Sequence, residues 1–171
     1  MIMSRFNAGE RWLALLTAVS IMWAPGVLLA GAVGDRRDEE QVVQVYRDVV
    51  PATVFLSSSY ATGSGRNSSI GSGFIVDEAG TVLTNAHVVE GAHTVMAKLY
   101  DGQRVRAEVL GVDSYSDVAV LRLTGVNGKV PFVQLGTSDA LRIGQRALVI
   151  GNPFGLGFGL STGILSGLNR L

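Results

Sequence analysis

Short runs of alternating apolar and polar residues dominate the chain, and glycine-containing turns separate them. The clearest pair, 74–76 and 81–84, flanks turn residues at 77–80. β-branched and aromatic residues in this arrangement favour strands, so the stretch predicts a hairpin. His87 follows the second strand, in a short helical turn that ends at Gly91. The pattern therefore places one histidine at the end of a buried hairpin.

Further strands are predicted on both sides of this hairpin. They cover 54–56, 95–99, 105–109, 118–123, 132–135, 146–150 and 160–168. Residues 57–70 are rich in serine, glycine and asparagine and predict a flexible loop. A turn-rich break at 127–131 indicates a domain boundary. Short strands without long intervening helices favour an all-β, antiparallel barrel over βαβ units.

An amphipathic helix is predicted ahead of the first strand, and together they occupy 33–56. Val42, Val45 and Val49 recur at helical spacing, Asp38 stands where a cap is expected, and Pro51 ends the pattern. This helix either covers one end of the barrel or serves as a self-association arm.

The first 34 residues are typical of export. No residue from 12 to 34 is charged, and Arg5 and Arg11 precede this segment. Residues 1–32 are therefore predicted to be a signal peptide that is cleaved after Ala32. The alternative is a retained membrane anchor formed by residues 12–34, which are long enough to span about 30 Å. Both interpretations put the folded part outside the cytoplasm: periplasmic or secreted, or anchored in the inner membrane.

Composition narrows the possible partners and cofactors. The 171 residues carry 14 Lys+Arg and 14 Asp+Glu, so a nucleic-acid partner is not expected. The chain has no cysteine and two histidines, which excludes disulfides and thiolate sites and argues against zinc. Glycines at 155, 157 and 159 lack a P-loop lysine and a preceding βαβ unit, which argues against nucleotide binding. We predict no metal and no cofactor.

His87 is the main candidate for chemistry, because an imidazole can take and return a proton near neutral pH. A general base needs a carboxylate on its other ring nitrogen. Asp117, which opens an apolar strand, is the preferred partner, and Asp113 is the alternative. His93 lies in a glycine-containing turn and is interpreted as an exposed loop residue.

Four motifs resemble those of the HtrA/DegP family of trypsin-like serine endoproteases. They are Gly71-Ser72-Gly73-Phe74-Ile75, Thr84-Asn85-Ala86-His87-Val88-Val89, Asp117-Val118-Ala119-Val120-Leu121 and Gly151-Asn152-Pro153-Phe154-Gly155. The resemblance implies two six-stranded β-barrels with the active site between them. It also implies that His87 is the general base and Asp117 its orienting aspartate. Residues 71–130 would then form the first barrel and 131–171 an incomplete second barrel.

One family motif, the Gly-Asn-Ser-Gly-Gly turn with the nucleophile, does not occur in the sequence. Ser161 and Ser166 lack its glycine context, so neither is a candidate. We therefore expect an amino-terminal part of a serine endopeptidase that is inactive and poorly soluble alone. The alternative is a non-catalytic, chaperone-like binding relic. By resemblance, the partners would be unfolded or misfolded proteins, and the assembly a homotrimer.

Overall fold

The computed structural model describes residues 36–62 and 65–168. The predicted signal peptide (1–32) and the alternative anchor (12–34) lie outside the described residues. In the part of the chain that is described, no helix is both long enough and apolar enough to cross a membrane.

Helix α1 spans Arg36–Val49 and leads into a 3₁₀ turn, Val50–Ala52, which contains Pro51. The helix begins before Asp38, so the prediction that Asp38 caps it was wrong. Asp38 lies in the first turn instead, where its negative charge is favourable near the amino-terminal end of the helix.

Six strands form a closed antiparallel barrel in the order β1-β2-β3-β6-β5-β4. Their bounds are β1 Thr53–Thr62, β2 Gly65–Ile75, β3 Thr81–Thr84, β4 Thr94–Lys98, β5 Arg104–Asp113 and β6 Val118–Thr124. A single helical turn, α2 (Ala86–Val89), follows β3. The predicted all-β fold with an antiparallel barrel is confirmed. Its predicted start at residue 71 was wrong, because β1 closes the cylinder by pairing with both β2 and β4.

The prediction of a flexible loop over 57–70 was also wrong. β1 and β2 pair continuously from Thr53↔Phe74 to Thr62↔Gly65. The first part of this hairpin, as far as Ser59, pairs with β4 on its other side as well. Strand pairing uses backbone groups, so a serine-rich sequence is compatible with a strand when a partner lies on each side.

Aliphatic side chains fill the barrel; most come from the strands, and two come from α2. The buried cluster comprises Val54, Leu56, Ile75, Val82, Val88, Val89, Val95, Ala97, Leu99, Val105, Ala107, Ala119, Leu121 and Leu123. β6 runs between β3 and β5, with Thr84 of β3 opposite Ala119 of β6. This register brings the residues after β3 next to the residue that precedes β6.

A second, two-stranded antiparallel sheet follows the barrel, with β7 at Arg146–Gly151 and β8 at Gly159–Ile164. The predicted strand at 132–135 was wrong. That segment attaches to β2 through a single backbone bond, from the Val133 N–H to the Ile75 carbonyl at 2.9 Å. β8 is also shorter than the predicted 160–168. Whether residues 131–171 belong to a second barrel stays a prediction.

Helix α1 lies across the junction between the barrel and the second sheet. A small apolar cluster joins the three parts and consists of Val45, Val49, Ala52, Phe74, Val133 and Ile150. The Tyr46 hydroxyl donates to the Phe158 carbonyl at 2.9 Å, and Arg146 pairs with Asp38 at 3.0 Å. These contacts hold β7 against the barrel at the end where His87 lies. The role of α1 as a self-association arm stays a prediction.

Candidate active site

His87 is the exposed member of an otherwise buried helical turn. In α2, Ala86, Val88 and Val89 are buried in the barrel core, whereas 68% of the His87 side chain is exposed. The turn is therefore anchored by its apolar residues and presents the imidazole at the barrel rim.

Two contacts to Val88 fix the position of α2. Gly71 of β2 passes so close that a Cβ atom there would lie 2.6 Å from Val88 Cγ2. On another side, the Tyr60 hydroxyl donates to the Val88 carbonyl at 2.8 Å. β2 and β1 thus hold the residue directly after His87.

Asp117 lies next to His87, and three bonds join the two residues. The carboxylate approaches His87 Nδ1 at 2.9 Å through Oδ1 and at 2.8 Å through Oδ2. The backbone N–H of His87 donates to Oδ1 at 3.0 Å. Of the two candidate carboxylates, Asp117 is the one that the structure places beside the ring of His87.

The Asp117 carboxylate is stabilised in its charged form. Its pKa is lowered, first by the backbone N–H of His87 and then by the hydrogen bond from the imidazole and by the charge of that ring when it is protonated, against the opposing effect of desolvation. An ionised carboxylate can only accept hydrogen bonds, so Nδ1 must carry the proton. In the neutral ring, Nε2 is then the available acceptor, and none of the described residues hydrogen-bonds it.

The alternative partner, Asp113, serves a turn instead. It accepts hydrogen bonds from the Tyr115 N–H and the Ser116 hydroxyl, and these lower its pKa, the Ser116 bond most. Its carboxylate has no bond to His87 among the described residues. His93 is exposed, and its backbone N–H donates to the Ser59 carbonyl at 2.9 Å.

A cleft of about 280 Å³ separates this part of the barrel from β7. It is lined by Ser72, Gly73, Phe74, Leu83, Thr84, Asn85, Asp117, Val118, Val149 and Ile150. Ser72, one of the lining residues, connects the barrel to the segment after β7, since its hydroxyl accepts the backbone N–H of Asn152 at 2.8 Å. Asn152 is 1% exposed and accepts the Gly157 N–H at 3.2 Å. The Gly-Asn-Pro-Phe-Gly turn is thereby fixed to the barrel.

Sequence reasoning missed the two polar residues that organise this region, Ser72 and Asn85. Ser72 and Asn85 each stand inside one of the four motifs that resemble the HtrA/DegP family, and that position was the available signal of a role in the site. Their contacts lie 80 and 32 residues away along the chain, to Asn152 and Asp117. No spacing rule connects residues so distant.

Comparison with known proteins gives consistent similarities. Residues 71–170 match the family described as trypsin-like peptidase domain. The chain is 47% identical over 102 residues to "Probable periplasmic serine endoprotease DegP-like" of Halomonas elongata, covering 60% of this chain and 21% of that protein. It is 35% identical over 140 residues to "Protease Do-like 1, chloroplastic" of Arabidopsis thaliana, covering 78% of this chain and 32% of that protein.

Among solved structures, "HtrA-type protease AlgW with tripeptide" is similar, with a TM-score of 0.68 and 36% identity. The match covers 75% of this chain and 40% of that chain. The chain spans about a fifth to a third of the length of the two curated relatives described above.

Proposed function

This chain belongs to the trypsin-like peptidase domain family, and from that premise we propose that it carries the general base and the orienting aspartate of a serine endopeptidase. The resemblance to the HtrA/DegP family is confirmed by the similar proteins. One observation carries the proposal: His87 Nδ1 lies 2.8 Å from a carboxylate that also binds the His87 backbone, while Nε2 has no bond to a described residue.

In the proposed mechanism, Nε2 of His87 takes the proton of a serine hydroxyl as that oxygen attacks the scissile carbonyl. The imidazolium then returns the proton to the leaving amine. Asp117 keeps the proton of the ring on Nδ1 and stabilises the imidazolium without itself being protonated. We assign no nucleophile within these residues, because the sequence has no Gly-Asn-Ser-Gly-Gly motif.

The test uses protein expressed from the complete gene, with casein as the substrate. Asp117→Asn should reduce kcat about 10⁴-fold, because the amide no longer enforces the productive tautomer. His87→Ala should have a larger effect and reduce kcat about 10⁶-fold relative to wild type. Asp113→Asn and His93→Ala are controls at exposed residues whose side chains have no described bond to His87 or Asp117, and both should retain activity within about threefold. Retention of activity in Asp117→Asn would contradict the proposal.

A serine-directed phosphonate separates the protease from a non-catalytic binding protein. The protease should be labelled at a single serine, and labelling should fall in His87→Ala because the base no longer activates the hydroxyl. A folded wild-type protein that binds unfolded casein and shows neither labelling nor cleavage would support the binding relic. The 171-residue chain alone should not cleave casein, and cleavage by it would refute this assignment.

We also propose that the folded part works outside the cytoplasm on unfolded or misfolded proteins. The support is the name of the Halomonas relative, a probable periplasmic endoprotease, together with the uncharged segment at 12–34. An intact mass that matches a chain beginning at Val33 would show that the signal peptide is cleaved. Recovery of the protein in the membrane fraction with its amino terminus intact would show the anchor. A homotrimer stays a prediction, which light scattering of the purified protein tests.

A further inference from the structure

Asp117 has a backbone conformation that aspartate adopts only with support. Its φ is +54°, in the left-handed region, and among the described residues it is the only one other than glycine with positive φ. This conformation is disfavoured for residues with a Cβ atom, although Asp and Asn tolerate it best. Something in the structure must hold the residue in place.

One side chain contacts Asp117 at two points. Asn85 Nδ2 donates to Asp117 Oδ2 at 3.0 Å and lies 3.3 Å from the Asp117 backbone carbonyl. The two N–H groups of one amide can therefore hold both the carboxylate and the strained backbone. Oδ1 is held separately by the backbone N–H of His87, so each carboxylate oxygen has its own fixed donor.

Asn85 does not perform the task that its position would predict. It precedes α2 as the N-cap residue, where an asparagine side chain ordinarily accepts a backbone N–H of the first turn. Its side chain makes no such bond. Asp117 instead accepts the N–H of His87 in that first turn, from 30 residues away. The helical turn is thus capped by the orienting aspartate, and the local cap residue holds that aspartate.

We propose that Asn85 is a positioning residue: it fixes the carboxylate of Asp117 in the orientation that keeps the proton of His87 on Nδ1. This inference rests on the proposed role of Asp117. Removal of the amide leaves Oδ2 without its second fixed donor and the left-handed backbone without its clamp. The carboxylate can then rotate away from Nδ1, and the neutral ring can adopt either tautomer.

The first test is spectroscopic and does not require peptidase activity. The 171-residue chain is labelled with ¹⁵N-histidine, and the ring nitrogens are observed by NMR at a pH above the titration range of the imidazoles. The sequence has two histidines, so His93 is an internal reference. In wild type, His87 should carry its proton on Nδ1. Asn85→Ala and Asn85→Asp should give a mixture of tautomers at His87, with unchanged His93 signals.

Asn85→Asp is the sharper variant, because it keeps the shape of the side chain but replaces the donor with a second negative charge. Asn127→Ala is the matched control, since Asn127 is exposed beyond the opposite end of β6. It should leave the His87 tautomer unchanged. Unchanged Nδ1 protonation in both Asn85 variants, with His93 signals intact, would overturn the inference.

The second test uses peptidase kinetics of protein from the complete gene. Displacement of an orienting group should reduce kcat by about 10- to 100-fold in Asn85→Ala, with KM within about twofold of wild type. An increase in KM at constant kcat would contradict a positioning role. If wild type cleaves nothing, the proposed function fails, whereas the tautomer measurement still decides whether Asn85 holds the carboxylate.

Discussion

Gly71→Ala should destabilise the barrel by displacing the helical turn that carries His87. A Cβ atom at position 71 would lie 2.6 Å from Val88 Cγ2 and 3.0 Å from Val88 Cγ1. Val88 is 3% exposed, so its methyl groups have little space to move. Overpacking of this kind costs about 1–3 kcal/mol. The loss of chain entropy in the unfolded state offsets only about 0.4–1 kcal/mol of this cost.

Val88→Ala tests whether that steric contact is the cause. Alone, it removes two buried methyl groups and should cost about 1–3 kcal/mol. In the double variant, the new methyl group at position 71 occupies space that Val88 has vacated. The double variant should therefore be more stable than the sum of the single effects predicts, by about 1–2 kcal/mol.

Urea denaturation of the four proteins measures this coupling. A loss of about 2 kcal/mol lowers the midpoint by about 1 M when the denaturant slope is about 2 kcal/mol/M. Gly111→Ala is the matched control, because a Cβ atom there meets nothing within 4 Å. It should change the free energy of unfolding by no more than about 0.5 kcal/mol. Additive effects of Gly71→Ala and Val88→Ala, or a Gly71→Ala no worse than the control, would refute the steric explanation.

Three further substitutions test other supports of the site. Tyr60→Phe removes the hydroxyl that donates to α2 and should lower the free energy of unfolding by about 0.5–1.5 kcal/mol in urea. Ser72→Ala leaves the backbone N–H of the buried Asn152 without its acceptor and should cost about 1–3 kcal/mol in the same measurement. The pKa of Asp77 lies below the ordinary value of an aspartate, chiefly because the Thr81 hydroxyl donates to its carboxylate. Its stabilisation is present above about pH 4 and lost as pH falls through the lower folded value, so Asp77→Asn should flatten the acid side of a pH–stability curve.

The sequence predicted those elements whose residue types and turns agree with the final fold. The hairpin around 77–80 is one, because its strands are β-branched and its turn residues are local. The strands β1 and β2 were missed where they are polar. Their polar residues pair through backbone groups over the whole hairpin, and β1 also pairs with β4 as far as Ser59. Ser58, which is 1% exposed, lies between β2 and β4. Local composition does not report such pairing.

The candidate site divides in the same way. His87 and Asp117 were predicted because their residue types suit proton transfer and because both stand in motifs that resemble those of the HtrA/DegP family. Asn85 and Ser72 were not, because an amide or a hydroxyl acquires its role only when the fold brings a distant acceptor or donor to it. The left-handed conformation of Asp117 is likewise set by its tertiary contacts and has no signal in the sequence.

A lowered pKa does not by itself identify the carboxylate of the site. Four aspartates of the described part of the chain share this property: Asp77, Asp101, Asp113 and Asp117. In the first three, the hydrogen-bond donors lie within four residues, so these carboxylates stabilise their own turns. Asp117 takes its side-chain and backbone donors from Asn85 and His87, across the barrel rim. Because one carboxylate both caps α2 and orients the imidazole, its protonation would release the helical turn and the ring together.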